Sequence, residues 1–431
     1  MLTVAYLANR FPSAVEPYVI EEIEELRSRG VRVIPGSVRE PRSDQSSTMK
    51  CPPEVVLQPL SITLLLHALW LCVLCWRMTL PLITRVVFHG SEGPIKRLKA
   101  LAHTWLGACY AVLLKGRGTD HIHVHHGYFG SWIAMVAARL LGVEFSMTLH
   151  GSDLLLHETY LDTKLENCAF CLTVSEYNRR YILQRHPYMD AEKVIVARLG
   201  VEVSKDTTLA VPGMRTNSDP LTILAVGRLH AVKDHAFLVR ACGQLRDREV
   251  HFECLIAGDG PERRNLNSLI RQSGMEGRIG LLGHVPREQM CSLYDRADVV
   301  VLTSRSEGIP LVLMEAMARG KIVLAPAITG IPELVIAGKT GFLYEPGSED
   351  DFVDRLLFIR TLLQAPDHPE VRPYILSAAR QLDRMRHAAE LQVRHKFNRS
   401  KNLESFGDLF VQRIALQTES IPDENLVLQQ I

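Results

Sequence analysis

The chain carries no GxxxxGK[ST] segment and no GxGxxG turn, so neither a P-loop triphosphatase nor a dinucleotide-dependent dehydrogenase is written into it. Excess charge is absent too: over 431 residues the formal net charge is +1, with 23% charged residues. That balance sets aside a nucleic-acid binder, whose mark is a strongly basic surface. The N-terminus, MLTVAYLANRFPS, lacks the basic start, apolar stretch and cleavage site of a signal peptide, and the expected location is the cytoplasm. Nine cysteines include two CxxC pairs, Cys72/Cys75 and Cys168/Cys171. The first lies in an apolar run and the second just before a strand, so both read as small buried hydrophobes rather than half a zinc site or a redox dithiol.

What is present is a regular alternation. Short apolar β-branched runs alternate with amphipathic stretches along nearly the whole chain, the pattern of parallel strands joined by helices, and the fold class is α/β. Strands are expected at Thr3–Leu7, Val31–Ile34, His121–His125, Phe145–Leu149, Phe170–Val174 and Val194–Ala197. A second series is expected at Leu221–Val226, His251–Ala257, Ile279–Leu282, Val299–Leu302 and Ile322–Ala325. A chain this long exceeds one core, which stops growing at ~250–300 residues. The polar, proline-containing text KDTTLAVPGMRTNSDP then reads as a linker at 206–219, between domains at 1–205 and 220–380, with helices and a tail at 381–431. Two doubly wound lobes facing a cleft are expected to bind ligand where the carboxyl ends of the strands meet.

One insertion, at about 55–118, exceeds a minimal lobe. Leu60–Trp76 is a run of 17 residues without a charged side chain, and 77–118 then holds seven Lys or Arg against one acid, Glu92. An apolar helix followed by a basic amphipathic region suits either a helix pair buried on the first lobe or an element lying on a membrane surface. A span is disfavoured, because it would put strands of one sheet on opposite sides of the bilayer.

The segments that carry chemistry sit at strand ends. In VVVLTSRSEGIPLVLMEAMARG a buried strand runs into a turn, and Pro310 opens a helix. The backbone N–H groups of Gly308, Ile309 and Leu311 and the positive helix end then make an anion site. Glu307 lies at the lip of that turn. Glu315 follows eight positions on, a little over two helical turns, among Leu313, Met314 and Met317, where a carboxylate needs a partner or a ligand. GRLHAVK follows the strand that opens the second domain: Gly227 gives a tight exit, and Arg228 and Lys233 can flank a diphosphate and stabilise a leaving nucleotide. The turn AGDGPER admits either a close ligand or a plain strand-to-helix connection. In the first domain FSMTLHGSDL puts His150 at a strand end, with Ser152 and Asp153 suited to capping the next turn. HIHVHHG alternates His121, His123 and His125 along one strand face, with His126 and Gly127 at its end. No carboxylate or cysteine converges on that row in the sequence, so no metal is assigned to it.

Taken together, FPSAVEPYVIEEIEEL, HGSDL, VSEYNRRYI, RLGVE, GRLHAVKD, AGDGPER, LLGHVPREQM and SEGIPLVLMEAMARG resemble glycosyltransferase family 4, within it the subgroup that builds bacterial exopolysaccharides of the colanic-acid type. The resemblance covers almost the full chain. It implies a GT-B fold, with C-terminal helices crossing back to the first domain, and a retaining transfer without metal or cofactor, the co-substrate being a nucleotide-diphosphate sugar. Glu307 matches the first and Glu315 the second carboxylate of the family's E-x7-E pattern, implying contacts to the donor sugar and to the ribose. Arg228 and Lys233 match its diphosphate clamps and His150 its sugar-touching histidine, and Leu282–Pro286, with Val285 at its centre, should line the base. Glu16, with His126 and Gly127, falls on the acceptor side. Pro12, Ser13 and Ala14 stand where many relatives carry a glycine pair, and GKIVLAP departs from the commoner G-x-PVV.

The implied acceptor is a polyprenyl-linked oligosaccharide, met in peripheral contact with the inner face of the membrane. The implied mechanism is front-face displacement: the diphosphate leaves against Arg228, Lys233 and the helix N-terminus while the acceptor hydroxyl attacks from the same side. The rivals are a soluble transferase or epimerase that uses no lipid acceptor, and a non-catalytic nucleotide-sugar sensor, which would have lost some of this residue set.

Overall fold

The structure, a computed structural model, describes residues 1–13, 16–40, 51–90, 92–156, 158–203, 219–364 and 372–418, with side chains only at 380–416 in the last stretch. The chain divides into two compact units, Met1–Ala197 joined by the segment from Leu403 onward, and Arg198–Asn402. The expected linker at 206–219 lies, save for Asp219, outside the described residues, as does Ala14 of the first loop.

The first unit runs β1 (Thr3–Arg10), α1 (Pro17–Ser28), β2 (Arg32–Arg39), β3 (Val55–Val56), α2 (Ile62–Leu74), α3 (Trp76–Phe88), α4 (Pro94–Leu114), β4 (His121–His125), α5 (Phe129–Leu141), β5 (Glu144–Leu149), α6 (Ser152–Leu155), α7 (Leu161–Asn167), β6 (Phe170–Thr173), α8 (Glu176–Arg185) and β7 (Val194–Val196). The second runs β8 (Leu221–Val226), α9 (His235–Asp247), β9 (Phe252–Ala257), α10 (Arg263–Gln272), β10 (Ile279–Gly283), α11 (Arg287–Arg296), β11 (Val299–Val301), α12 (Leu311–Ala318), β12 (Ile322–Pro326), α13 (Ile331–Leu334), β13 (Phe342–Tyr344), α14 (Glu349–Leu363) and α15 (Arg372–Lys396), after which α16 (Arg399–Thr418) returns to the first unit.

Local chemistry fixes many of these boundaries. Ser61, Ser175 and Ser348 each accept a backbone N–H at the start of α2, α8 and α14, filling a donor the helix leaves open. Pro17 and Pro94 stand in the first turns of α1 and α4, where the missing N–H costs nothing. Strands β4, β5 and β6 are buried along nearly their whole length, although β4 alternates histidine with Ile122 and Val124, because the sheet is covered on both faces. The two unexpected strands, β3 and β13, have two and three residues and sit at sheet edges, too short for any period to show. The long apolar run is not one helix either: it breaks at Cys75, and α3 leaves α2 at a bend of 94°.

Both sheets are parallel throughout. Their strand orders are β3-β2-β1-β4-β5-β6-β7 and β10-β9-β8-β11-β12-β13, so the fold is two doubly wound α/β units. In each, two adjacent strands send their crossovers in opposite directions: β1 and β4 in the first unit, β8 and β11 in the second. Loops leaving such a pair diverge and open a crevice at the carboxyl ends of the strands.

Of the two C-terminal helices, α15 packs on α12 and α14 of the second unit, and α16 covers one face of the first sheet. Phe406, Phe410 and Ile414 of α16 join Val4, Tyr6, Val33 and Phe170 in one core cluster, and Phe410 stacks edge-on against His121, His123 and Phe170. Replacing Phe410 by Ala should therefore destabilise the first unit by about 3–5 kcal/mol, the range for emptying a buried aromatic site. Exposed Leu416→Ala on the same helix should stay within about 0.5 kcal/mol. Urea unfolding, with hydrogen exchange localising the loss to β1 and β4, measures both.

Candidate active site

In the second unit the crevice between β8 and β11 is bounded by Gly227–Asp234 and Thr303–Pro310. Three contacts lace these loops: Arg305 N–H to the Val232 carbonyl at 2.8 Å, Thr303 hydroxyl to the Lys233 carbonyl at 2.9 Å, and the Arg305 guanidinium to Asp234 at 2.7 Å. The lacing brings Lys233 Nζ to 2.5 Å from Glu307 Oε1, both side chains mostly buried. Thr329 holds the Glu307 carbonyl from the far side at 2.6 Å. The lysine and glutamate picked out 74 residues apart are thus one ion pair at the switch point.

Helix α12 starts beside this pair. Pro310 takes the position before the helix rather than its first turn, with no side-chain cap. Among the described residues no hydrogen bond reaches the N–H groups of Gly308, Ile309 or Leu311, so the open end of α12 keeps the donors an anion needs. The hydroxyls of Ser304 and Ser306, in the same loop, are buried without a partner. Glu315 accepts a hydrogen bond from Tyr294 at 2.7 Å, the partner its apolar neighbours demand. Burial first, then the Glu315 carboxylate, pushes the Tyr294 phenol well above its usual value, so it stays a donor.

Arg228 does not join the pair: it is exposed and makes no ion pair or hydrogen bond with another described side chain. Gly227 donates its N–H to the Ala257 carbonyl. The AGDG turn serves the chain rather than a ligand. A Cβ at Gly258, whose φ is +145°, would lie 1.9 Å from the Gly227 carbonyl oxygen, and one at Gly260 would lie 2.4 Å from that of Leu229. These glycines let the loop after β9 pack under the loop carrying Arg228. Val285 is half-buried in the short connection from β10 to α11, on the same edge of the sheet.

In the first unit the matching crevice lies between β1 and β4, and it gathers Glu16, His126, Gly127 and His150. His126 has a left-handed backbone, φ +70°, uncommon for a residue with a side chain. It is held there by its N–H on the Thr148 carbonyl, by Glu16 at 2.8 Å from Nε2, and by Asp153 at 3.6 Å from Nδ1. Burial opposes the charge on this imidazole, but the two carboxylates outweigh it and raise His126 to about 10, so it is an imidazolium at neutral pH.

Asp153 is more than a cap. Fully buried, it accepts the N–H groups of Gly127 at 2.9 Å, His150 at 3.1 Å and Gly151 at 2.7 Å. Burial pushes it up, yet His126 and these donors hold it well below the ordinary carboxylate range. Gly127 spends its N–H on Asp153 and its carbonyl on buried Lys164 at 2.6 Å, so both its backbone groups work inside the unit.

His150 is kept neutral, chiefly by burial and then by the charge on His126. Its Nε2 lies 3.1 Å from Nδ1 of His125, whose own Nε2 is 3.1 Å from Glu22 but makes no hydrogen bond there. One of the two facing nitrogens must donate and the other accept, so the tautomers of His125 and His150 are tied together. Glu22 accepts from Tyr6 at 2.5 Å. Glu22, His123 and His125 place three ligand atoms within 4.8 Å of one another, the carboxylate missing from the sequence reading. Both nitrogens of His123 are already bonded, to Ser146 at 2.7 Å and Thr148 at 3.0 Å, so neither is open to a metal ion.

Sequence reasoning missed Glu22, Tyr294 and the role of Asp153. Only Asp153, two residues beyond a glycine at a strand end, carried a signal; the others are brought in by packing.

Comparison with known proteins assigns each unit. Residues 15–205 match the profile described as Glycosyltransferase Family 4, and residues 211–370 match Glycosyl transferases group 1. The chain belongs to these glycosyltransferases. A putative colanic acid biosynthesis glycosyltransferase, WcaL of Salmonella typhimurium, is 39% identical over 173 residues, covering 38% of this chain and 41% of its own. The amylovoran biosynthesis glycosyltransferase AmsK of Erwinia amylovora is 32% identical over 194 residues, covering 44% and 46%. The chain thus spans less than half the length of these curated relatives. Among solved structures, Anabaena HepE in complex with UDP superposes with a TM-score of 0.66 at 18% identity over 96% of this chain and all of that one. A sucrose-phosphate synthase from Thermosynechococcus elongatus gives 0.69 at 17% identity, over 96% of this chain and 100% of its own. These two likenesses establish the GT-B fold.

The His126 charge gives a pH dependence with a definite sign. Its pKa is raised from 6.5 to about 10 on folding, so its stabilising effect is complete below the unfolded value and is lost as pH rises through the folded one. The Tm difference between the wild type and His126→Asn, a residue that tolerates the left-handed backbone, should be largest near pH 6 and shrink steadily toward pH ~10. A thermal-melt series of both proteins across that range measures it.

Proposed function

We propose that this glycosyltransferase transfers a sugar, with retention, from a nucleotide-diphosphate donor to a polyprenyl-linked oligosaccharide in the assembly of an exopolysaccharide or other cell-surface polysaccharide. The observation that carries the reading is the Lys233–Glu307 pair at the β8/β11 switch point beside the uncapped start of α12. A diphosphate meets three sources of positive potential there: Lys233, Arg228 as an exposed and mobile-stemmed guanidinium, and the free N–H groups of Gly308, Ile309 and Leu311. Glu307, released from Lys233 when the phosphates take the ammonium, faces the sugar. Glu315, aimed by Tyr294, takes the ribose diol. Since these groups supply the charge that offsets a leaving diphosphate, the reaction requires no metal and no cofactor.

His150, kept neutral and hydrogen-bonded to His125, meets a sugar hydroxyl. Glu16 and His126 form the acceptor-side pair. Retention follows from front-face displacement, in which the acceptor hydroxyl bonds to the anomeric carbon as the bond to the diphosphate oxygen breaks, and its proton leaves on that oxygen. The names of WcaL and AmsK support an exopolysaccharide product, and the UDP bound by HepE supports a nucleotide donor. The place of work is the cytoplasmic side of the membrane, where such donors are made.

The test is release of nucleoside diphosphate from a panel of nucleotide sugars, with and without a bacterial lipid extract. One donor should be turned over, dependent on the extract and unaffected by EDTA. Lys233→Ala should lower kcat/KM by about 100- to 1000-fold, the scale for removing one charge-stabilising donor. Donor-independent binding without turnover, in the presence of the full lipid extract, would contradict the transferase reading.

A further inference from the structure

Helices α2, α3 and α4 present an apolar surface that nothing in the described chain covers. The stripe on α2 comprises Ile62, Leu66, Leu69, Trp70 and Val73, at the spacing of one helical face, and all are exposed, while the opposite face buries Leu64 and Ala68. On α4, which packs against α2, the exposed face is Ile95, Leu98, Ala102 and Trp105, while Ala100, Thr104 and Ala108 are buried. Ile95 is 71% and Leu98 70% exposed, values a core helix of a water-soluble surface does not carry. Three of the four tryptophans in the chain stand on these helices, Trp70 at 62%, Trp76 at 53% and Trp105 at 45% exposure, against 2% for Trp132. Tryptophan with its ring outside the core is the residue of the membrane–water boundary.

The charges on this region choose the occupant. Arg85 is held by Glu92 and Asp162, and Arg97 by the carbonyls of Val87, Gly90 and Glu92. Arg77, Lys96 and Lys99 are exposed and in no ion pair among the described residues, Arg77 lying over the Trp76 ring. Lys96 and Lys99 border the α4 stripe. Apolar side chains with tryptophans and uncompensated cations fit a sheet of phosphate headgroups over acyl chains. A second copy of the chain would bring the same cations against themselves. Among the described residues no single helix is long and apolar enough to cross a bilayer; α2 and α3 reach that length only together, across a 94° bend.

We infer that this face docks the first unit on an anionic lipid bilayer, with the stripes of α2 and α4 immersed at the headgroup boundary and Arg77, Lys96 and Lys99 on lipid phosphates. The inference deepens the lipid-linked acceptor reading and rests on it for its purpose, but vesicle binding is measured without donor or acceptor, so either can fail alone.

The test is co-sedimentation and tryptophan emission of the full chain with vesicles of equal parts phosphatidylcholine and phosphatidylglycerol, or of phosphatidylcholine alone. Binding should need phosphatidylglycerol, weaken at ~0.5 M salt and shift emission to the blue, with quenching by lipids brominated on the acyl chains. Leu69→Glu with Trp70→Glu should weaken binding at least tenfold, as should Lys96→Glu with Lys99→Glu. Both double variants change exposed residues and should keep the wild-type Tm and diphosphate release from a soluble donor. The inference is overturned if the wild type ignores anionic vesicles, if both variants bind as it does, if light scattering shows a lipid-free dimer that Leu69→Glu/Trp70→Glu dissociates, or if the protein resists alkaline extraction as a spanning protein does.

Discussion

In each sheet two neighbouring parallel strands send their crossovers to opposite sides, and everything chemical in the molecule depends on that reversal. A right-handed crossover carries the chain off the sheet edge with its helix, so the ends of β1 and β4, and of β8 and β11, cannot be covered by one another's helices. The loops that leave them carry Glu16, His126, Arg228, Lys233 and Glu307. Those loops differ in how they are held: in the second unit by hydrogen bonds between Thr303, Arg305 and the 232–234 segment, in the first by one buried carboxylate, Asp153, accepting three backbone N–H groups.

The two crevices also manage charge differently. The first holds an imidazolium, His126, between the carboxylates of Glu16 and Asp153, beside a histidine kept neutral, His150. In the second, Lys233 and Glu307 satisfy each other; under the proposed function, a ligand anion that takes the lysine frees the carboxylate for a hydroxyl. A buried pair that opens on binding couples anion recognition to sugar recognition, because leaving either charge alone in a mostly buried place is costly.

Much of this was legible in the residues. Strands buried on both faces announce themselves as apolar runs, and turn chemistry marks their ends, so the parallel α/β class followed from pattern alone. Lys233, Glu307, His126 and His150 stand out because each follows a strand in a segment with a glycine or proline, Glu16 because it precedes Pro17, and Glu315 because its carboxylate lies among apolar neighbours on α12. The sequence could not show that Lys233 and Glu307 touch, since no local rule spans that separation. Nor could it bring Glu22 to His125 or Tyr294 to Glu315; those partners lie on helix faces whose orientation only tertiary packing decides. The AGDG turn stayed open for a related reason. Glycine marks close approach, but whether chain or ligand approaches depends on what the next strand places there, and Gly227 fills the space. Edge strands β3 and β13 are too short for a period, and the bend at Cys75 leaves no trace in an unbroken apolar run.

The central claim is that the β8/β11 crevice binds a diphosphate through Lys233. Calorimetric titration of nucleoside diphosphates and the corresponding monophosphates into the wild type and Lys233→Ala tests it most directly. The account predicts that one diphosphate binds the wild type more tightly than its monophosphate, and that Lys233→Ala removes most of that difference while keeping the monophosphate affinity. Equal preference for the diphosphate in both proteins would place the second phosphate elsewhere and contradict the account.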